Sequence, residues 1–143
     1  MKLRDGIEVG EDSVTFSGRS GKHLLLSLLL RTKFRKPYED ITLLNDWIAD
    51  LANRLAAELH TGEQQTFADD PHTRHEIAGL IASKGASLGW WQMSPEAKAA
   101  CLQLAAAPYQ MTSESVEEII LSVGDQVEIA RRLIAAADQS NRP

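Results

Sequence analysis

The sequence predicts a mainly α protein: a compact bundle of about five to six helices preceded by a short N-terminal β-hairpin. Three observations carry this reading. Apolar residues recur at 3–4 spacing over most of the chain. Prolines, glycines and capping residues divide that pattern into segments joined by short connections. Strict alternation occurs in one place, close to the N-terminus.

That alternating stretch is "IEVGEDSVTF". Ile7 and Val9 face Val14 and Phe16 across a turn at Gly10-Glu11-Asp12, which predicts a hairpin within residues 1–18. A lone hairpin is marginal in water, so it is expected to pack on something. The helical body follows over residues 20–139. A first helix runs from about Ser20, as its cap, to Arg35, before Pro37. Six leucines between Leu24 and Leu30 cover most of its circumference, the pattern of a central, buried helix. A second helix runs from about Glu39 to His60, with Ile41, Leu44, Ile48, Leu51 and Leu55 forming its stripe and Gly62 after its end.

"DDPHTRHEIAGLIASKG" has Asp70 as cap, Pro71 at the first helical position, Lys84 in the last turn and Gly85 at a left-handed exit. "SPEAKAACLQLAAAP" repeats that logic with Ser94, Pro95 and Pro108. In "TSESVEEIILSVGDQVEIARRLIAAADQ", Ser115 and Glu118 fit a capping box. Gly124 then breaks the run, and Asp125 caps a last helix. Residues 140–143 read as a loose tail. The whole, residues 1–143, is read as one domain.

Composition narrows the function classes. The chain is 43% hydrophobic and 24% charged, ordinary for a soluble globular protein. Its longest apolar stretch, "LLLSLLL", falls far short of the roughly 20 residues a membrane span needs, so no membrane association is expected. There is no signal-peptide core, and the single cysteine, Cys101, fits a reducing compartment, so a cytoplasmic location is expected. The net charge of −5 is unevenly spread: Arg19 to Lys36 holds six cations and no acid, while 20 acidic residues lie elsewhere. Such asymmetry marks an anion-binding face.

"SGRSGKH" raises the question of a phosphate-binding loop. The required spacing puts Phe16 where the first glycine belongs and His23 where a magnesium-binding hydroxyl belongs. The loop is therefore read as the turn out of the hairpin, and no cofactor is expected.

Four further features carry candidate chemistry. His72, His75 and Glu76 share one face of a helix start, the spacing of a metal site, and underlie a metal-dependent enzyme as one alternative. The apolar face of that helix points about 130° away, so the trio is expected to look into solvent. "RTKFRK" offers Arg31, Lys33, Arg35 and Lys36 to an anionic partner, with Phe34 and Tyr38 interleaved as potential base-stacking rings. Residues 115–137 can form a helix-turn-helix-like pair with Gln126, Arg131 and Arg132 on its second helix, a DNA-binding alternative weakened by the surrounding acids. Trp90 and Trp91 are adjacent, so one is expected in the core and the other as an interface anchor.

The leading expectation is a small, non-catalytic accessory or regulatory protein that binds another macromolecule, most often a protein. Its interaction residues are Arg31, Lys33, Arg35, Lys36, Trp90 and Trp91. Nucleic acid is the less favoured partner, and self-association is left open.

Overall fold

The structure, a computed structural model, describes residues 2–4, 6–61 and 65–140. Gly62 and residues 141–143 of the expected tail lie outside the described residues. Three short strands open the chain: β1 (Lys2–Arg4), β2 (Ile7–Val9) and β3 (Val14–Phe16). They form one antiparallel sheet in the order β1-β2-β3. β2 and β3 are the expected hairpin, with Ile7 opposite Phe16 and Val9 opposite Val14. The turn is closed by Gly10 N–H donating to Ser13 O at 2.8 Å. β1 is an addition, since "KLR" has no apolar alternation to announce it.

The sheet packs on the start of α1 (Gly18–Lys33). Gly6, at φ +84°, lies so close to Gly21 that a Cβ on either would strike the other's backbone. Glycine at both positions therefore permits the approach. Ser17, not Ser20, is the N-cap residue, and Gly21 lies inside the helix instead of turning the chain. The expected central position of this helix is also overturned. Of its leucines only Leu26 is fully buried, and Leu28 is exposed.

The second expected helix is split into α2 (Asp40–Leu43) and α3 (Asp46–Glu58). Asn45 causes the break: its side chain accepts from Ile48 N–H at 2.9 Å and so caps a new helix. The split rotates α2, so that Leu43 is buried and Ile41 faces solvent. α1 and α3 share a small core of Leu26, Ala52, Leu55, Ala56 and Leu59.

The main core lies among α4 (Pro71–Leu88), α5 (Pro95–Ala106) and α6 (Ser113–Ser140), where Ile77, Ile81, Trp90, Leu102, Ile119 and Val123 are buried together with Leu43. Two caps match expectation: Asp70 accepts from Thr73 N–H at 2.9 Å and Ser94 from Ala97 N–H at 3.1 Å. The hydrogen bond from Thr73 holds the Asp70 carboxyl below its ordinary pKa. α4 passes through Gly85 and ends at Leu88, with Gly89 in the left-handed conformation at φ 69°. A 3-10 turn, Trp90–Gln92, leads on to α5.

α6 corrects two expectations. Thr112 Oγ1, not Ser115, accepts the capping hydrogen bond, from Ser115 N–H at 3.1 Å. Ser115 is buried and donates to Ala68 O at 3.3 Å, while Glu118 lies 2.7 Å from Arg74 Nε of α4. Gly124 does not break the helix, which runs unbroken to Ser140. A glycine inside a helix costs only about 1 kcal/mol. Val123 in the core and Gln126 hydrogen-bonded to α4 hold the turns on either side. No helix among the described residues is long and apolar enough to cross a membrane.

Candidate protein-binding surface

The C-terminal end of α1 sorts its charges by helical geometry. Lys33, the last residue of α1, turns inward, while Arg31 in its last turn and Arg35 just past its end stay in solvent. Arg31, Thr32, Arg35 and Lys36 line an open concavity of about 700 Å³, closed on the other side by Pro37, Glu39 and Thr42. Arg31 and Arg35 are exposed and make no ion pair with any described residue. Lys36 Nζ lies 3.2 Å from Glu76 Oε1, and this hydrogen bond raises its pKa.

Lys33 belongs to the interior and is withdrawn from the expected interaction set. Its relative exposure is 0%. Its Nζ donates to Leu104 O at 2.5 Å and Ala107 O at 2.6 Å, at the C-terminus of α5. Leu104 O also accepts from Ala107 N–H at 3.3 Å, whereas Ala107 O, on the C-cap residue, lies past the intrahelical ladder. Desolvation by burial lowers its pKa to about 7. The acceptors and the negative end of the α5 dipole act in the opposite sense, because they favour the ammonium. The rings expected to stack on bases are also turned inward. Phe34 lies 4.7 Å from Phe67 and 5.7 Å from Tyr109, centroid to centroid, and Tyr38 lies 6.2 Å from Phe67.

The tryptophans separate. Trp90 is 1% exposed, sits in the main core and is withdrawn as an interaction residue. Trp91 is 45% exposed. Its ring lies over Gly85, where a Cβ would come within 2.8 Å of it. That close approach is why a glycine stands inside α4 there.

The "HTRHE" face is not assembled as a ligand set. His72 Nε2 lies 2.7 Å from Glu76 Oε1, which Lys36 also approaches. His75 is turned toward α6, where Gln126 Nε2 lies 3.3 Å from its carbonyl oxygen and 3.5 Å from its ring. Among the described residues no group of three His, Cys, Asp or Glu side chains is placed to hold a metal ion. The metal-enzyme alternative built on His72, His75 and Glu76 loses its geometry here.

The DNA-reading alternative loses its geometry too. A single helix replaces the pair expected at 115–137. Gln126 donates to His75 O and Ser122 Oγ, and Arg131 and Arg132 both lie beside Glu128. Sequence reasoning missed two residues of interest: Ile41 beside the concavity-lining Thr42, and Trp47 in the first turn of α3, both strongly exposed.

The class defined by these features is a mainly α fold with an N-terminal antiparallel sheet and a basic concavity at the end of its first helix. No family model matches the chain, and no significant similarity links it to a curated protein or a solved structure.

Proposed function

We propose that this is a non-catalytic binding protein whose basic concavity at the end of α1 engages an acidic surface of a protein partner. The supporting observation is the pair of guanidinium groups, Arg31 in the last turn of α1 and Arg35 just past it, both exposed, both lining the concavity, and with no ion pair to any described residue. An arginine makes bidentate hydrogen bonds to a carboxylate, which gives orientation as well as attraction. Exposed Ile41 beside the concavity, with Trp47 a few residues on, offers apolar and aromatic surface of the kind that anchors interfaces. Half-exposed Trp91 is a further contact of the same type. A cytoplasmic, regulatory or accessory role belongs to the same reading.

The test is capture from native lysate with Arg31→Glu/Arg35→Glu beside the natural chain. The natural chain should retain an acidic protein that is released as salt rises, because screening weakens such contacts. The double variant should lose it while its melting temperature falls by only a few degrees, on the order of 4 °C. Equal capture by both chains would place the interface elsewhere.

A further inference from the structure

The second half of α6 is an amphipathic helix with its apolar face uncovered. Residues 129–140 are all exposed, with Ile129 at 57%, Leu133 at 66% and Ile134 at 65%. The face is not random. Val116, Ile119 and Val123 are buried at spacings of three and four, and the same period continues through Ala130, Leu133 with Ile134, and Ala137. The stripe that holds α6 to the body thus runs on, in register, past the body. Beside it, Val127, Ala130 and Ile134 face Gly79, Ala82 and Ser83 of α4 across an open groove of about 520 Å³.

We infer that this face is covered by the same face of a second copy, with the two α6 helices antiparallel. Charge complementarity selects this occupant. Arg131 and Asp138 are seven residues apart, so they lie about 20° from each other on one flank of the stripe. They are also placed symmetrically about the middle of segment 129–140. The antiparallel alignment that overlays the two exposed segments end to end therefore sets each Arg131 against the other copy's Asp138, twice. Among the described residues Arg131 has only a loose pairing to Glu128, at 3.6 Å, and Asp138 has no ion pair. Size complementarity agrees. The same alignment brings Leu133 of one helix within one residue's rise of Ala137 of the other, and both lie on the stripe, large against small. Segment 129–140 is about 18 Å long, so the pair buries less than the roughly 800 Å² per partner of a standard interface. The association is accordingly weak, with a Kd on the order of 10–100 μM.

Sedimentation equilibrium of the full chain from about 5 to 500 μM tests this. The natural chain should pass from monomer to dimer. R131D and D138R should each weaken the dimer about tenfold, because both symmetric contacts become like-charged. An equimolar mixture of the two single variants should associate about as well as the natural chain, since opposite charges meet again at both contacts. L133S/I134S should remain monomeric with its helical circular dichroism retained, because neither side chain contributes to the core. A natural chain that is monomeric throughout would overturn the proposal. So would a dimer indifferent to L133S/I134S, or one weakened by the single charge reversals and not restored by mixing them.

Discussion

Lys33 Nζ rests on two carbonyls at the end of α5, tying α1 to the main core through hydrogen bonds to a negative helix end. Lys33→Met keeps the aliphatic stem and removes the Nζ donor from both acceptors, leaving Leu104 O only its 3.3 Å bond from Ala107 N–H, so it should cost about 2 kcal/mol at pH 8 by urea denaturation. The pH dependence has a definite direction. Lys33 titrates near 7 when folded and at its ordinary 10.5 when unfolded, so between these values the unfolded chain binds the extra proton. Stability from this residue is therefore lowest and flat below about pH 7 and rises toward pH 10.5. The gap between the natural chain and Lys33→Met should widen over that window; a constant gap would mean that Lys33 keeps its ordinary pKa. The tryptophans divide in the same way. Trp90→Ala should cost about 3–5 kcal/mol as a core truncation, and Trp91→Ala much less, both read by denaturant unfolding. Equal costs would mean that Trp91 is also a core residue. Lys33 was legible in principle, because Leu26, Leu30 and Lys33 follow 4–3 spacing along one face. Its charge drew attention to solvent, while its position on the stripe pointed inward. Only tertiary structure supplies the carbonyls that make burial tolerable.

At the scale of elements, caps that use a proline or a clear Asp or Ser signal were readable, as at Asp70 and Ser94. Breaks that depend on tertiary packing were not. Asn45 divides a stripe that is continuous in sequence, and Gly124 fails to divide one that looks punctuated. Two of the glycines within helices, Gly85 and Gly124, differ in cause. Gly85 makes room for the Trp91 ring, whereas a Cβ on Gly124 would meet nothing within 4 Å. Gly124→Ala should therefore stabilise the protein by up to about 1 kcal/mol, raising the melting temperature by about 4 °C. A fall would mean that the backbone turns at this position. The same helix shows how an apolar period is ambiguous when read alone. Val116, Ile119 and Val123 lie on it in the core, yet Leu133 and Ile134 carry the identical signal into solvent. Sequence spacing says that a face wants a cover, but not whether its own body or another chain supplies it.

Over the whole molecule, the hairpin followed by helices was legible because its two periods, two and about 3.6, are cleanly separated along the chain. The layout of the core was not. Leucine density pointed to α1 as the centre, whereas the main core is built by α4, α5 and α6 around Trp90, with Ala78, Ala105 and Ala106 among its buried residues. Moving α1 to the side is what leaves its end free to present Arg31 and, just beyond it, Arg35. The basic, acid-free run was visible in the sequence, but its division into one structural lysine and an outward-facing set required the fold. The central claim is that the outward set is a recognition surface. It is tested most directly by a photo-activated cross-linker placed at Thr32, in the floor of the concavity, and irradiated in native lysate. Cross-linking to a discrete acidic protein, lost when Arg31→Glu and Arg35→Glu are added to the same chain, is the predicted result. A chain that cross-links to no protein, or whose cross-linking is unchanged by the two charge reversals, would contradict it.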